Sequence, residues 1–291
     1  MRNFSTTRSA PGRAWLALFL ITCGGSVALA LGLALAHSVG ALSWPRAVTL
    51  DYSSWRALFA GQRFWQALLY SVGLTSVTLL LALATALALF AALGTRLRSG
   101  LLGRALFLPL AVPGIVAALM TYSLLGNSGW LSRLAYALGW LNNPAAFPAL
   151  IFDPIGRGIV LAHLAMVTPL FVLMFERVAE HVRLPLLMQQ ATALGATPWQ
   201  AWRRIGIPLL FTQTRAVIAV YALALLGAYE LPLLIGAAHP SMVSVAIARA
   251  IGGYDLAQRP LGYAMASLYL MLLVGAWAVL AWRADHRGVP G

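Results

Sequence analysis

Charged residues make up only 9% of this 291-residue sequence, and none of them is lysine. Without lysine the chain cannot form a Walker A phosphate-binding loop or a Schiff base, because both need that side chain. The single cysteine, Cys23, excludes an internal disulfide and a cysteine-based metal site. The seven carboxylates are scattered, and neither an HExxH nor a GxSxG motif occurs. The sequence therefore contains no recognisable catalytic constellation.

Apolar residues are abundant instead. They make up 61% of the sequence, and several apolar runs reach about 20 residues, the length that crosses a bilayer. A soluble domain of this size would need far more charge on its surface. We therefore predict an all-α polytopic membrane protein with six transmembrane helices, at residues 14–36, 67–93, 105–125, 158–175, 214–235 and 261–282.

The basic residues, all 20 of them arginine, set the expected orientation in the membrane. Thirteen lie on the side that holds both termini and the loops after the second and fourth spans, and seven lie on the opposite side. The positive-inside rule then places both termini in the cytoplasm. The expected organisation is a cytoplasmic N-terminus at 1–13, one transmembrane domain at 14–282 and a cytoplasmic C-terminus at 283–291. Arginines beside apolar runs act as topology anchors, so a nucleic-acid partner is not expected.

The loop between the fourth and fifth spans predicts two short helices. Pro185 suits the first turn of the first helix, "PLLMQQATAL", and Gly195 suits its left-handed end. Thr197 is a good N-cap for the second helix, "PWQAWRR". We expect Gly206 and Pro208 to stop that second helix after about two turns.

Two tryptophans give the second helix a distinct face. Trp199 and Trp202 are three residues apart and so share one side of the helix, with Arg203 beside them. A helix this short is marginal alone and must pack on something. It could dock on a cytoplasmic partner, or it could lie in the lipid headgroup layer without any partner. These residues alone leave both possibilities open.

The stretch "QQATALGATPWQAWRRIGIP", residues 189–208, resembles the EAA loop of permease subunits from binding-protein-dependent ABC importers. That motif runs Glu-Ala-Ala, a short spacer, Gly-Ala, a longer spacer and Ile-x-Leu-Pro. Gly195 and Ala196 match its centre, and Ile205 to Pro208 match its ending. The runs "LGRALFLPLAVPGIVAALMTY" and "GIVLAHLAMVTPLFVLMFERV" look like the family's third and fourth spans, so the resemblance covers roughly 65–282.

The start of the motif departs from the family pattern. Gln189 stands where the family usually has its glutamate, and Gln190 replaces the first alanine, while Ala191 keeps the second. In the family that glutamate is thought to help engage the ATPase subunit. A glutamine can still form hydrogen bonds but carries no charge, so the ionic contact is in question here.

The resemblance implies a coupling helix, from about Pro198 to Arg204, that lies in a groove of a separate cytoplasmic ATPase dimer. Closure of that dimer on ATP would move the helix and the spans attached to it. The residues assigned to this coupling are Gln189, Ala191, Gly195, Ala196, Pro198, Trp199, Trp202, Arg203, Arg204, Ile205 and Pro208. Within this set, the two tryptophans are expected to be buried anchors and the two arginines a basic rim.

The resemblance also implies the rest of the assembly. The chain would be a non-catalytic subunit of the bacterial cytoplasmic membrane that binds no cofactor, because ATP sits on the partner ATPase. A second permease subunit, a periplasmic or lipid-anchored solute-binding protein and membrane lipid are the other expected partners. The subgroup that the sequence resembles favours a small polar or cationic solute of the polyamine, iron or thiamine kind.

Two polar residues inside the predicted spans are candidates for the translocation path. Glu230 lies roughly 24 Å from the cytoplasmic end of its span at 1.5 Å per residue. An ionisable residue at that depth usually faces the bundle interior or water. Glu230 could meet a cationic substrate, or it could bond a helix end near Pro232 or an arginine of the partner permease. His163 could line the path, although a lone histidine on an apolar face is more often a packing residue.

Two other function classes compete with the importer permease. A self-contained secondary transporter or channel would usually show two related halves with broken helices. An intramembrane enzyme would need convergent acids, bases or metal ligands in its spans. Neither pattern is visible in the sequence.

Overall fold

The structure is a computed structural model that describes residues 10–41, 50–94 and 101–286. Within these ranges the elements are helical and no strand occurs. The α-helices are α1 (Ala10–Phe19), α2 (Gly25–Ser38), α3 (Ser53–Ala60), α4 (Gln62–Leu93), α5 (Leu101–Ala105), α6 (Gly114–Leu125), α7 (Trp130–Ala137), α8 (Arg157–His181), α9 (Leu184–Ala193), α10 (Pro198–Ala201), α11 (Ile207–Leu226), α12 (Glu230–Ile235), α13 (Val243–Gly252) and α14 (Arg259–His286). Two π-helical turns, Leu20–Gly24 and Trp202–Gly206, join α1 to α2 and α10 to α11. The predicted cytoplasmic anchors Arg2, Arg8, Arg96, Arg98 and Arg287 lie outside the described residues.

Five helical segments of the described chain are long and apolar enough to cross a bilayer. They are Ala17–Ser38, Gln62–Leu93, Arg157–His181, Pro198–Leu226 and Leu256–Leu280. A sixth crossing results if the sharply bent pair Gly103–Ala111 and Gly114–Ala137 is one span. The predicted all-α, polytopic architecture is therefore confirmed, with two of the six predicted spans differing in detail.

The third span is not the single helix predicted at 105–125. Its two halves meet at an angle of 103°, with a short 3-10 turn at Pro109–Ala111 before α6 begins. Val112 and Pro113 are both extended, with ψ angles of 122° and 148°. A proline disfavours helical geometry at the residue before it, which accounts for the break at Val112.

The fifth span also breaks, so the single helix predicted at 214–235 is interrupted at 227–229. Helix α11 ends at Leu226, and α12 starts again at Glu230. Pro232 explains the break, because it has no N–H to donate to the carbonyl of Ala228 four residues earlier. That carbonyl instead accepts a hydrogen bond of 2.5 Å from the Ser244 hydroxyl.

The chain divides into two compact units. The larger comprises the described residues of Trp65–Val245 and Ala276–Gly291. Its main core lies between α4, α8 and α11, and fully buried residues of that core include Ala82, Ala86, Val167, Phe171, Val172, Phe175 and Leu210. Small residues on α4 let the helix backbones approach closely, as is typical of helix packing in membranes. A second core lies between α6, α8 and α12 and includes Ala117, Ala118, Ile159, Ala162, Leu231 and Ile235.

The smaller unit comprises the described residues of Met1–Phe64 and Ala246–Gly275. The end of α2 is held there by polar and aromatic contacts. Ser38 is fully buried and accepts a hydrogen bond of 3.0 Å from the indole N–H of Trp55 on α3. The His37 ring stacks on Tyr263 with 4.6 Å between ring centroids. These contacts fix α2 against α3 and the first half of α14.

Candidate functional site

The turn after α9 is closed by two backbone hydrogen bonds. The Gly195 N–H donates to the Thr192 carbonyl at 3.0 Å, and the Ala196 N–H donates to the Ala191 carbonyl at 3.1 Å. This pair of bonds is the Schellman arrangement that ends many helices. Gly195 has a φ of +91°, which strongly favours glycine. The left-handed end predicted at Gly195 is therefore present.

Helix α10 begins with a complete capping box. The Thr197 side chain accepts the N–H of Gln200 at 3.2 Å, and the Gln200 side chain accepts the N–H of Thr197 at 2.9 Å. Pro198 occupies the first turn, where a missing N–H costs nothing. The N-cap predicted at Thr197 is confirmed, and the box satisfies two amide groups that a short helix would otherwise leave open.

The helix does not stop at Gly206 and Pro208, and this prediction is wrong. α10 passes through the π-helical turn into α11, so the helical run extends from Pro198 to Leu226. In the π turn the Ile207 N–H donates to the carbonyl of Trp202, five residues back. The wider turn accommodates Pro208 without ending the helix. The short helix α10 and the fifth span therefore form one continuous helix, here called the α10–α11 rod.

The two tryptophans have different surroundings, although both line the same cavity. Trp202 is half-buried and packs on the main core, with its indole stacked on Phe90 of α4. Trp199 is 64% exposed. Trp202 thus anchors the helix to this chain's own core, whereas Trp199 projects from the surface.

Leu194 is a surface residue that the sequence pattern did not single out. It is 89% exposed at the end of α9, next to the left-handed Gly195. The sequence does contain a signal for this exposure: Leu194 directly precedes the predicted left-handed Gly195, where the chain reverses its direction. Gln189, Arg203 and Arg204 are also exposed, whereas Ile205 is half-buried. The segment from Leu194 to Arg204, here called the α9–α10 tip, therefore presents two large apolar side chains and two arginines.

An apolar cavity of about 470 Å³ lies behind the tip. It is lined by residues of α4, α8, α9 and α10, including Phe90, Glu176, Met188, Trp199 and Trp202. Trp202 is the side chain that bridges this space to α4.

The two path candidates lie in different environments. His163 of α8 is buried, and its Nδ1 lies 2.9 Å from the Ile159 carbonyl of the same helix. This geometry is typical of a packed histidine with its hydrogen bond satisfied. Glu230 is exposed and begins α12, and its carboxylate lies against Gly114, the first residue of α6. No group of three or more metal-ligating side chains occurs in residues 10–41, 50–94 and 101–286.

No protein-family model matches the sequence. The thiamine transport system permease protein ThiP of Escherichia coli K12 is 27% identical over 248 residues, which cover 81% of this chain and 43% of ThiP. The inner membrane ABC transporter permease protein YnjC of the same strain is 27% identical over 248 residues, 83% of this chain and 46% of YnjC. The chain is a homologue of ABC transporter permeases. It spans less than half the length of these two relatives.

Chains of solved bacterial ABC transporter structures share the fold. The crystal structure of a bacterial ABC transporter that imports the acidic polysaccharide alginate matches with a TM-score of 0.67 and 16% identity over 95% of this chain and 94% of that chain. The alginate transporter in complex with its pentasaccharide-bound periplasmic protein matches with a TM-score of 0.60 and 17% identity over 93% of each chain. The apolar helices make the chain a multi-pass membrane protein, similar in sequence to the inner membrane permease YnjC.

Proposed function

We propose that this permease is the translocation subunit of an ABC importer, with both termini and the α9–α10 tip in the cytoplasm. One observation carries the proposal. The exposed Leu194 lies just before a continuous helical run, Pro198–Leu226, and the exposed Trp199 lies in its first turn; the run is long and apolar enough to cross a membrane. Apolar side chains displayed beside two arginines are typical of a protein contact rather than of a solvated turn.

The continuity of the rod gives a mechanism. A helix of 29 residues is about 43 Å long at 1.5 Å per residue. When a partner bound to Leu194 and Trp199 moves, α10 and α11 move with it as one rigid body. The partner we infer is a cytoplasmic ATPase whose dimer closes on ATP. In this scheme the ATPase hydrolyses ATP, and the permease binds no cofactor and carries out no chemistry.

The remaining partners follow from the same scheme. A second permease subunit completes the path, and a solute-binding protein delivers cargo at the opposite face. The alginate transporter has such a periplasmic protein in its complex. The relatives are named for different cargoes, thiamine for ThiP and sulfate for a permease of Chlorella vulgaris. For this permease we propose a small polar or cationic solute.

One feature of the structure favours a second candidate function. Two spans are broken, one before α6 and one before α12, and broken spans are common in secondary transporters. A self-contained transporter would move solute without an ATPase. The experiment must therefore separate ATP-driven from ATP-independent function.

The test is co-purification and ATP turnover. The permease is co-expressed with the ATPase, second permease and binding protein encoded beside it, as the unchanged protein and as Leu194→Ala, Trp199→Ala and Trp140→Ala. Trp140 is the matched control, because its indole is 75% exposed but lies in the predicted outer segment after α7. Truncating an interface anchor costs about 2 kcal/mol or more, or roughly thirty-fold in affinity.

We expect the Leu194 and Trp199 variants to lose bound ATPase and solute-stimulated turnover while keeping the thermal stability of the unchanged protein. The Trp140 variant should keep both the bound ATPase and the solute-stimulated turnover. If no ATPase co-purifies with the unchanged permease and vesicles take up solute without ATP, the secondary transporter is the correct function. Equal ATPase binding by all three variants would place the contact elsewhere on the permease.

A further inference from the structure

The two breaks in the spans meet at one point of the larger unit. α6 begins at Gly114 after one break, and α12 begins at Glu230 after the other. The Glu230 side chain lies along Gly114. A Cβ on Gly114 would collide with the Glu230 carboxylate and would lie 3.4 Å from its Cδ and 3.7 Å from its Cβ. The Glu230 side chain therefore packs directly against the backbone of Gly114.

The amino end of α6 has no side-chain cap of its own. Its N-cap residue is Pro113, which contributes no side-chain hydrogen bond. The first backbone bond into this turn runs from the Ala117 N–H to the Pro113 carbonyl at 3.0 Å. The amides of Gly114 to Val116 therefore have no acceptor within the helix. A carboxylate at this position interacts favourably with the positive end of the helix dipole.

Other contacts hold α12 to the same body. The Ile235 carbonyl at its end accepts the Phe152 N–H at 2.9 Å, and the Ala228 carbonyl before its start accepts the Ser244 hydroxyl. Leu231 and Ile235 are buried in the core that also contains residues of α6. The chain between Leu226 and Glu230 is the only part of the fifth span that leaves the helical path.

We propose that Glu230 is a positioning residue that latches α12 to α6, so that the two half-helices stay together while α11 moves with the α9–α10 tip. This inference rests on the proposed function for the movement of α11, but the latch itself does not. The carboxylate acts through α6 by holding its amino end. It is not a ligand for the cargo, although its other side is exposed. The break at residues 227–229 is then the hinge between a moving and a fixed half of the span.

An engineered disulfide tests the latch directly. Cβ atoms joined by a disulfide are about 3.8 Å apart, and the 3.7 Å separation of positions 114 and 230 meets this condition. Gly114→Cys and Glu230→Cys are combined with Cys23→Ser, which removes the native cysteine. A polyethylene-glycol maleimide labels only free thiols, so loss of labelling after oxidation reports disulfide formation. This assay uses the purified permease and needs no ATPase. Free thiols after mild oxidation would overturn the latch geometry whatever the function of the chain.

The assembled complex supplies the functional readout, with MgATP turnover measured in the reduced and oxidised states of the same sample. With thiols reduced, the latch is absent, and coupled turnover should fall about two- to five-fold, the range that corresponds to an anion at a helix amino end. With the disulfide formed, turnover should return to that of the Cys23→Ser parent, since the bond replaces the carboxylate. If Glu230 instead bound the cargo through its charge, a neutral disulfide at this position would not restore turnover.

Two results would overturn the proposal. If oxidation blocks turnover, α6 and α12 must separate during the cycle. If oxidation leaves the reduced-state defect unchanged, the lost charge matters for the cargo and not for the latch. A Cys23→Ser parent without turnover would instead contradict the proposed function, and the maleimide assay would still decide the latch.

Discussion

The indole of Trp202 stacks on the phenyl ring of Phe90, with ring centroids 6.2 Å apart and ring planes 23° apart. This contact joins the start of the α10–α11 rod to the end of α4. Phe90 in turn meets Phe175 of α8 edge-on at 6.4 Å. The rod is therefore attached to two neighbouring helices through aromatic side chains, beside the apolar cavity that Phe90 and Trp202 line.

Gly206 determines whether this stack can form. A Cβ at Gly206 would lie 2.5 Å from one carbon of the Trp202 ring and 2.9 Å from another. Gly206→Ala should therefore displace the indole, with a cost of about 1–3 kcal/mol for overpacking. The expected result is a lower temperature of thermal unfolding in detergent micelles and a shift in tryptophan emission.

Gly73→Ala is the matched control, because nothing lies within 4 Å of a Cβ there and Gly73 is also in a membrane helix. Alanine at an open helical position is favoured over glycine by about 1 kcal/mol. The control should therefore be neutral or slightly stabilised. Equal stability of the Gly206 and Gly73 variants would show that the stack tolerates a side chain at position 206.

The capping box of α10 gives a second prediction. Thr197→Ala removes the acceptor of the Gln200 N–H, and loss of such a cap costs about 0.5–2 kcal/mol. Because the lost bond closes only the first turn of α10, the loss should appear locally. Amide hydrogen exchange of residues 198–204 should accelerate several-fold while exchange in α8 stays constant. Thr192→Ala is the control, since its hydroxyl only bonds a carbonyl of its own helix, and a similar acceleration there would argue against a specific role of the cap.

The local features of the tip were predictable from the sequence because they depend on neighbouring residues. The cap at Thr197 and the left-handed end at Gly195 are set by side-chain and backbone chemistry within one turn. The stack of Trp202 on Phe90 was not predictable, because the two residues are distant in the chain and share no pattern. The expectation that both tryptophans anchor the helix in a partner stays a prediction, with Trp199 exposed in this chain and Trp202 packed on its own core.

The breaks in the spans show the same limit. Hydropathy locates an apolar run but does not report whether the helix inside it is continuous. Pro169 lies within α8, which continues through it, whereas Pro113 precedes a new helix after a sharp bend. The difference depends on what satisfies the freed backbone groups and on the packing around them, and one sequence does not contain that information in a local pattern.

Ser244 gives the last prediction. Its hydroxyl donates the 2.5 Å hydrogen bond to the Ala228 carbonyl, which Pro232 leaves without a helical donor. In Ser244→Ala that carbonyl loses its donor in an apolar setting, which costs about 1–3 kcal/mol. We expect a lower unfolding temperature and faster amide exchange between Leu226 and Ile235.

Two further variants separate this bond from a general effect of losing a serine. Ser244→Thr keeps a hydroxyl at the same position and should restore most of the stability. In Ser267→Ala the lost hydroxyl only bonded the Tyr263 carbonyl of its own helix, so that variant should stay close to the unchanged protein. If Ser244→Ala unfolds at the temperature of Ser267→Ala, the Ala228 carbonyl does not need the serine, and the break before α12 is held by Glu230 and the buried core alone.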